Sequence, residues 1–322
     1  MKLLLFKDNH CDFMTSIGSK KYWLADKMVK LEIFQSGLKR DRLELSGHEI
    51  SYLKSKTYNA KRPMLMIHGF GGDSLNFVRY ARAFGKGRCC LIPDLLGHGQ
   101  SDRPWDFRYS VEAHAEKLIQ LMDKLSFLEF DVVGNSLGGH IALFLAQEYP
   151  DRVKSMMLFA PAGLKREKNH WDLDRLKRGQ HPLKIFNRAD FDQMISNVFV
   201  KTPFMPWPMK QVFADYSITN QPLLEKQWLD LRHGSEGNPE METFLPKMYM
   251  PSLIIWGDRD RLLPVKDAEI FSRLMPKVEV HVLENCGHLP MAERPHSMAV
   301  LSRVFQNIHK QEIQNGKEFR QC

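Results

Sequence analysis

Apolar residues along the chain follow two periodicities, which predict strands and helices in alternation. Short apolar runs such as residues 64–67 predict strands. Uninterrupted apolar runs of this kind are typical of strands that are covered on both faces. Strands are predicted at residues 43–45, 49–53, 64–67, 89–93, 131–133, 153–159, 253–256 and 278–283.

Helical patterns occupy several of the intervals between these strands. Apolar residues recur every three or four positions from Val111 to Leu125, and Ser110 before them is a good N-cap. A second helical run covers residues 140–148. The first two strands flank a turn at 46–48 and predict an antiparallel hairpin. Strand–helix alternation elsewhere predicts an α/β fold, with a mostly parallel eight-stranded sheet flanked by helices.

One long segment, residues 164–250, shows no strand pattern. It holds three of the six tryptophans and the proline-rich run 203–208. One interpretation is a helical insertion whose aromatic residues pack on a core of their own. The other is a helical cap, with methionine and aromatic side chains lining an adaptable pocket. The predicted organisation is a basic N-terminal arm at 1–40, a core of 41–163 and 251–322, and the inserted cap at 164–250.

The charge balance narrows the choice of partners. The chain has 46 basic and 38 acidic residues, so 46 − 38 gives +8. Most of that excess lies in residues 1–62. The core has no basic helix with interleaved aromatic residues, and we therefore expect no nucleic-acid partner. Lysines and apolar residues mix in residues 20–40, which fits either a solvated helix packed on the core or an arm that lies on an anionic lipid surface.

The cysteines and the N-terminal sequence bear on the compartment. The 5 cysteines have no CxxC spacing, so neither a disulfide framework nor a zinc site is predicted. We therefore expect a reducing compartment such as the cytoplasm. We also expect that the protein binds no metal. The apolar stretch at 3–6 is too short for a cleavable signal peptide or a transmembrane helix. Any membrane contact is therefore expected to be peripheral, through the arm.

A candidate nucleophile stands in the motif GNSLGG at residues 134–139. The motif follows a predicted strand and precedes a predicted helix. GxSxG in that context forms a sharp turn that raises the serine hydroxyl above the sheet. The positive end of the helix lies where negative charge develops. Ser136 is therefore the predicted nucleophile.

A serine nucleophile needs a base and an acid that orients the base. In GxSxG hydrolases the chain order is serine, acid, histidine. Asp258 and Asp260 follow the strand at 253–256, and local sequence does not choose between them. His288 follows the last strand, beside a loop glycine, and is the predicted base.

The glycine-rich loop at residues 68–73 follows the third strand. It matches neither a P-loop nor a dinucleotide-binding fingerprint. Glycine-rich backbone near a serine nucleophile suits an oxyanion hole, with one N–H from Phe70 and the other from Leu137. His98 and Asp94, in the next glycine-containing loop, are predicted to hold that loop and not to catalyse.

Together these motifs resemble those of the α/β-hydrolase superfamily. Further segments, APAG at 160–163 and VFVKTPFMP at 198–206, resemble the branch of bacterial lipases and monoacylglycerol lipases. The resemblance implies Asp260 as the acid, a helical cap and no cofactor. The motifs that carry it are HGFGG at 68–72, DLLGHGQSDRP at 94–104, GNSLGG at 134–139, WGDRDRLLP at 256–264 and GHLPMAERP at 287–295.

The function implied is hydrolysis of carboxylic esters, with medium- or long-chain monoacylglycerols or related lipid esters as substrates. Phe204 and Trp207 in the cap, with Leu289 after the histidine, are the expected substrate-binding residues. Dehalogenases and epoxide hydrolases have similar motifs but use an aspartate nucleophile, and Ser136 argues against both. Two alternatives stay open: a carbon–carbon hydrolase of the meta-cleavage-product type, and a non-catalytic receptor on the same fold.

Overall fold

The computed structural model describes residues 20–56, 62–85, 88–165, 183–233 and 239–311. Its centre is one eight-stranded sheet with the order β1-β2-β4-β3-β5-β6-β7-β8, so the predicted α/β class and strand number are confirmed. The strands are β1 (Leu38–Leu45), β2 (His48–Ser55), β3 (Met64–Ile67), β4 (Cys90–Pro93), β5 (Phe130–Asn135), β6 (Val153–Phe159), β7 (Ser252–Gly257) and β8 (Val278–Leu283).

The direction of the strands indicates where a ligand-binding site is expected. β2 pairs antiparallel with β1 and with β4, and every other pairing is parallel. The chain passes from β3 outward to β4 and then returns to the other side of β3 as β5. In open α/β sheets, ligands bind beyond the carboxyl ends of the strands at such a reversal. The loops after β3 and β5 therefore lie side by side at the expected site.

Helices cover both faces of the sheet, and α3 begins at a side-chain N-cap. α3 begins after Ser110, whose hydroxyl accepts a hydrogen bond from the Ala113 N–H. α4 begins at Leu137, three residues before the start expected from the pattern. The helices are α1 (Lys20–Gln35), α2 (Val78–Phe84), α3 (Val111–Lys124), α4 (Leu137–Glu148), α5 (Arg188–Val198), α6 (Met209–Thr219), α7 (Gln221–His233), α8 (Asp267–Leu274), α9 (Pro290–Glu293) and α10 (Pro295–Ile308).

The hydrophobic core has two layers, one on each face of the sheet. Leu65 and Ile67 of β3 belong to one buried cluster, while Met64 and Met66 belong to the other. Successive side chains of a strand point to opposite faces, and both faces are covered by helices. This is why β3 and β4 are apolar at every position.

Helices α5, α6 and α7 lie between β6 and β7 in the chain and cover the carboxyl ends of the strands. The described part of residues 164–250 contains helices and 3-10 turns but no strand. Two 3-10 turns, at Met241–Thr243 and Leu245–Lys247, lead into β7. Trp171, one of the three tryptophans of this segment, lies outside the described residues.

The N-terminal segment differs somewhat from the predicted arm at 1–40. Strand β1 begins at Leu38, so the last residues of that range belong to the sheet. α1 buries Tyr22, Ala25, Val29 and Ile33 against the core. Among the described residues, no helix is long and apolar enough to cross a membrane.

We predict that Asp131→Ala lowers the free energy of unfolding by about 3 kcal/mol, because it removes a buried charged acceptor. The fully buried Asp131 carboxylate accepts hydrogen bonds from Ser155 at 2.7 Å, Arg88 at 3.0 Å and Arg62 at 3.2 Å. Urea denaturation measures the change. The control is Asp123→Ala, which breaks a solvent-exposed pair with Arg152 and should cost under about 1 kcal/mol. Equal losses in the two variants would contradict the prediction.

Candidate active site

Ser136 occupies a sharp turn between β5 and α4. Its φ of 53° and ψ of −117° lie in a region that non-glycine residues rarely adopt. The turn is tight because a Cβ on Gly134 would stand 2.3 Å from the Gly138 carbonyl, and one on Gly138 would stand 2.1 Å from the Ile67 carbonyl. Glycine at both places therefore lets the backbone approach itself and carry the serine above the sheet.

The loop after β3 lies directly beside this serine. An ideal Cβ on Gly69 would be 3.1 Å from the Ser136 Cβ. The Gly69 carbonyl accepts hydrogen bonds from the Gly72 N–H and from His68 Nδ1. Because the C=O and N–H of a trans peptide point in opposite directions, the Phe70 N–H points away from those donors. Leu137 begins α4, and the N–H groups of a first helical turn have no partner within the helix.

His288 and Asp260 form a short contact at the same edge of the sheet. His288 Nδ1 lies 2.7 Å from Asp260 Oδ2, and the Asp260 side chain is fully buried. Asp260 Oδ1 accepts the backbone N–H groups of Leu262 and Leu263, at 2.8 and 2.9 Å. Asp258, the other candidate acid, accepts a hydrogen bond from the Cys286 N–H instead. Backbone N–H groups thus hold Oδ1 of the Asp260 carboxylate, while Oδ2 contacts the histidine.

Two backbone contacts hold His288 in place, and the sequence pattern predicted neither. The side chain of Asn135, just before the serine, donates to the His288 carbonyl at 3.1 Å and to the Phe159 carbonyl at 2.8 Å. The His288 N–H donates to the carbonyl of Val198, the last residue of α5. The only signal for Asn135 in the sequence is its polarity within an apolar strand.

Buried polar side chains brace the loop at 68–73 from behind. His68 donates through Nδ1 and accepts the Leu95 N–H at Nε2, so its ring is neutral; burial lowers its pKa. The Asp94 carboxylate accepts the Ser74 N–H at 2.7 Å and pairs with Arg40 at 2.7 Å. These bonds fit the loop-holding role predicted for Asp94.

His98 has a similar supporting role in the following loop. Its Nδ1 lies 3.1 Å from the Leu96 carbonyl. Burial, together with the neighbouring imidazoles of His68 and His114, lowers its pKa well below the ordinary value. The imidazole therefore stays neutral, packed 6.2 Å from the Phe70 ring. His98 therefore contacts the site through the Phe70 ring and does not itself line the cavity.

Above the serine lies a cavity of about 640 Å³, bounded by the sheet edge on one side and by α5, α6 and α7 on the other. Ser136, His288 and Leu289 all line it. Its apolar wall, most of which the sequence pattern did not predict, comprises Leu164, Leu183, Phe191, Met194, Ile195, Val198, Phe199, Met205, Met209, Phe213, Trp228, Leu231, Leu262 and Leu263.

The structure places two of the expected substrate-binding residues elsewhere. Phe204 and Trp207 are 78% and 66% exposed and do not line the cavity. Their neighbours Pro203 and Met205 line it instead. The Phe204 ring is thus exposed to solvent, whereas its two neighbours in the chain face the cavity.

The cavity also has titratable groups besides the histidine. Burial, reinforced by the nearby Asp94, raises the pKa of Asp73 to about 6. Burial lowers the pKa of His140 to about 4, so this ring is neutral and its Nε2 bonds the Pro239 carbonyl. Among the described residues, no cluster of three His, Cys, Asp or Glu side chains could hold a metal ion.

Known proteins resemble this chain over most of its length. The sequence family described as alpha/beta hydrolase fold matches residues 62–295. Lipase 1 of Psychrobacter immobilis is 32% identical over 286 residues, which are 88% of this chain and 89% of that lipase. Monoacylglycerol lipase ABHD6 of Bos taurus is 26% identical over 274 residues, covering 79% and 81%. A solved membrane phospholipase A, at 31% identity, superposes with a TM-score of 0.84 over 89% of this chain and 92% of that chain.

The sheet, the serine turn and the histidine–carboxylate contact define a hydrolase of the α/β class, and the family match spans more than half of the sequence. The chain belongs to the α/β-hydrolase fold family, in its lipase-like branch of carboxylic ester hydrolases. The resemblance drawn from the motifs is confirmed for both the superfamily and the branch.

We predict that Asp73→Asn raises stability at pH 8 but not at pH 4. A raised pKa means that the folded protein holds a proton between about pH 4 and 6 that the unfolded chain releases, so stability falls as pH rises through that window. Above pH 6 the ionised, half-buried carboxylate costs on the order of 1–3 kcal/mol, and asparagine removes this cost while retaining the N-cap to Leu75.

Urea denaturation at the two pH values measures the effect. The control is Asp192→Asn, at an exposed pair with Lys210, which should change stability by less than about 0.5 kcal/mol at either pH. The assignment fails if the Asp73→Asn variant gains no stability at pH 8.

Proposed function

We propose that this protein hydrolyses medium- or long-chain acyl esters, monoacylglycerols among them, with Ser136 as nucleophile, His288 as base and Asp260 as the orienting acid. The observation that carries the proposal is the 2.7 Å contact between His288 and Asp260, at the edge of a cavity that also exposes Ser136. A base held by a carboxylate near a serine on a strained turn is the arrangement that nucleophilic acyl transfer requires.

In the proposed first step, Ser136 Oγ attacks the ester carbonyl carbon while His288 Nε2 takes the hydroxyl proton. The Asp260 carboxylate keeps the proton of His288 on Nδ1 and stabilises the imidazolium that forms. Collapse of the tetrahedral intermediate breaks the bond to the alcohol, and the imidazolium returns its proton to the departing oxygen. The products of this half-reaction are the free alcohol and an acyl-enzyme ester on Ser136.

The oxyanion of that intermediate is proposed to accept hydrogen bonds from the Phe70 and Leu137 N–H groups. The orientation of the Gly69–Phe70 peptide and the start of α4 at Leu137 support this assignment. One such donor contributes about 3–4 kcal/mol to the transition state. Water, deprotonated by His288, then attacks the acyl-enzyme and releases the fatty acid.

The cavity supports a lipid substrate. Its volume of about 640 Å³ falls within the range that encloses drug-sized ligands. Methionine and phenylalanine side chains from α5 and α6 form much of the wall, and each methylene of an acyl chain buried there contributes about 0.8 kcal/mol. The names of the relatives, a lipase and a monoacylglycerol lipase, support the same substrate class.

The central experiment combines labelling with turnover. Purified protein is treated with a fluorophosphonate and mapped by mass spectrometry, and p-nitrophenyl esters of increasing chain length are assayed. We expect label on Ser136, abolished in Ser136→Ala, and higher kcat/KM for the longer esters. Folded protein that neither takes the label nor turns over any ester would disprove the proposal and favour a receptor on the same fold.

We predict that Asp260→Asn lowers kcat by about 10⁴-fold, because asparagine favours the wrong histidine tautomer. Asp258→Asn is the matched control, since it changes the hydrogen bond to the Cys286 N–H and leaves the histidine contact intact. The control should retain kcat within about tenfold. Circular dichroism verifies that both variants fold. An inactive Asp258→Asn beside an active Asp260→Asn would reverse the assignment.

We also propose that the outer face of α1 contacts anionic lipid. Trp23 and Phe34 are 62% and 64% exposed, and with Lys27 and Lys30 they recur at the spacing of one helix face. Lys27 lies over the Trp23 ring at 5.7 Å. Exposed aromatic side chains can enter the headgroup region of a membrane, and neighbouring lysines are attracted to anionic lipid.

The cysteines support a reducing compartment such as the cytoplasm. Cys89, Cys90 and Cys286 are free thiols and are buried. Disulfides form and persist mainly in oxidising compartments, whereas free thiols are usual in the cytoplasm. We therefore propose a cytoplasmic location, with membrane contact limited to the outer face of α1.

We predict that replacing both Trp23 and Phe34 by serine reduces binding to vesicles containing phosphatidylglycerol by at least about fivefold, because the interfacial aromatic area is lost. Sedimentation with vesicles measures the bound fraction. Leu128→Ser, at a side chain that is 75% exposed but next to the amino end of β5, should bind as the wild type does. Unchanged binding of the double variant would refute the proposed contact.

A further inference from the structure

One strip of the cavity wall is polar, although most of the wall is apolar. The strip consists of Asp73, Asn76 and Arg79 from the segment after β3, together with Glu32 from α1, and all four line the cavity. We call it the polar strip. Asp73, Asn76 and Arg79 stand at intervals of three residues along a 3-10 turn (Ser74–Phe77) and the start of α2. This spacing puts their side chains on one face.

The strip begins at the loop proposed to hold the oxyanion. Asn76 Oδ1 accepts the Asp73 backbone N–H at 3.3 Å. A Cβ on Gly72 would lie only 2.2 Å from that same oxygen, so the amide packs against the loop two residues after Phe70. A substrate carbonyl at Ser136 would therefore have one polar wall beside it.

The charges on the strip are already partly neutralised. Arg79 Nε lies 2.7 Å from Glu32 Oε1, and its Nη2 donates to the Phe204 carbonyl at 2.8 Å. Arg79 is the only lysine or arginine among the described residues that line the cavity, whereas Glu32, Asp73 and Glu240 are acidic. A negatively charged group entering here would meet more carboxylates than cations.

We propose that the polar strip binds the alcohol part of the substrate and selects a neutral polyol, such as glycerol, over a phosphate-bearing alcohol. The inference rests on the proposed ester hydrolysis and assigns the specificity of the same site. Carboxylates accept hydrogen bonds from hydroxyl groups, and an amide both donates and accepts. The hydroxyls of a monoacylglycerol therefore match the strip, while its acyl chain matches the apolar wall.

The charges of the polar strip disfavour the binding of a phosphate group. The Arg79 guanidinium is already paired with the Glu32 carboxylate, so a phosphate would meet an ion pair of no net charge and not a free cation. Like charges brought together in a site of low dielectric repel each other strongly. Removing the charge of Glu32 should therefore improve the acceptance of phosphate.

The first test measures kcat/KM for 1-oleoylglycerol and for methyl oleate, which has no free hydroxyl, in the same neutral detergent micelles. In Asn76→Leu the glycerol-to-methyl ratio should fall roughly threefold to tenfold, the effect of one lost hydrogen bond. Asn307→Leu, at an exposed position of α10, is the control and should keep the wild-type ratio. A purely structural role of Asn76 would lower both rates equally and leave the ratio unchanged, which would overturn the proposal.

The second test adds oleoyl lysophosphatidic acid. Wild-type protein should hydrolyse it at least about tenfold less efficiently than 1-oleoylglycerol. Glu32→Gln should raise the relative rate on the phosphate ester roughly threefold to fivefold, while Asp26→Asn, which breaks the α1 surface pair with Lys30, should not. A wild-type preference for the phosphate ester would refute the selectivity. If methyl oleate is turned over but neither effect is seen, the hydrolase assignment stands and the role of the polar strip in specificity is refuted. If no ester is turned over, both the hydrolase assignment and the role of the strip are refuted.

Discussion

The site depends on a single geometric constraint, the return of a loop from the edge of the sheet to its centre. His288 follows β8, the edge strand, while Ser136 follows β5, and β6 and β7 lie between these two strands. The histidine loop crosses the end of β7 because Gly257 has no side chain: a Cβ there would stand 2.3 Å from the Cys286 carbonyl. Asn135 then anchors the far end of the loop by donating to the His288 carbonyl.

Because of this constraint, the helices that cover the site, α5 to α7, also help to hold its residues in place. The carbonyl of Val198, at the end of α5, accepts the His288 N–H at 2.8 Å. The Glu293 carboxylate binds the N–H groups of Gly287 and Lys201, one from the histidine loop and one from the segment after α5. The same helices supply much of the apolar cavity wall. A movement of α5 would therefore change both the cavity and the position of the histidine.

Much of the fold could be predicted because its signals are local. Strands β3 and β4 are apolar at every position, since helices cover both faces of the sheet, and the glycines around Ser136 predict a tight turn. Boundaries were harder to predict: β1 starts at Leu38 because pairing with β2 extends the strand beyond its apolar residues. The expectation for Phe204 and Trp207 relied on residue type alone. The direction of a side chain in an irregular segment depends on packing that no local pattern encodes.

By itself the sequence determined the α/β class, the serine turn and a histidine after the last strand, because backbone propensity and glycine sterics act over a few residues. Local sequence did not distinguish Asp258 from Asp260 as the acid, and only the family resemblance favoured Asp260. Only the tertiary structure decided which carboxylate contacts His288, that Asn135 holds the histidine loop, and that the polar strip lines the same cavity as the apolar wall. Each of these contacts joins segments far apart in the chain, and side-chain hydrogen bonds over such separations are set by topology and packing.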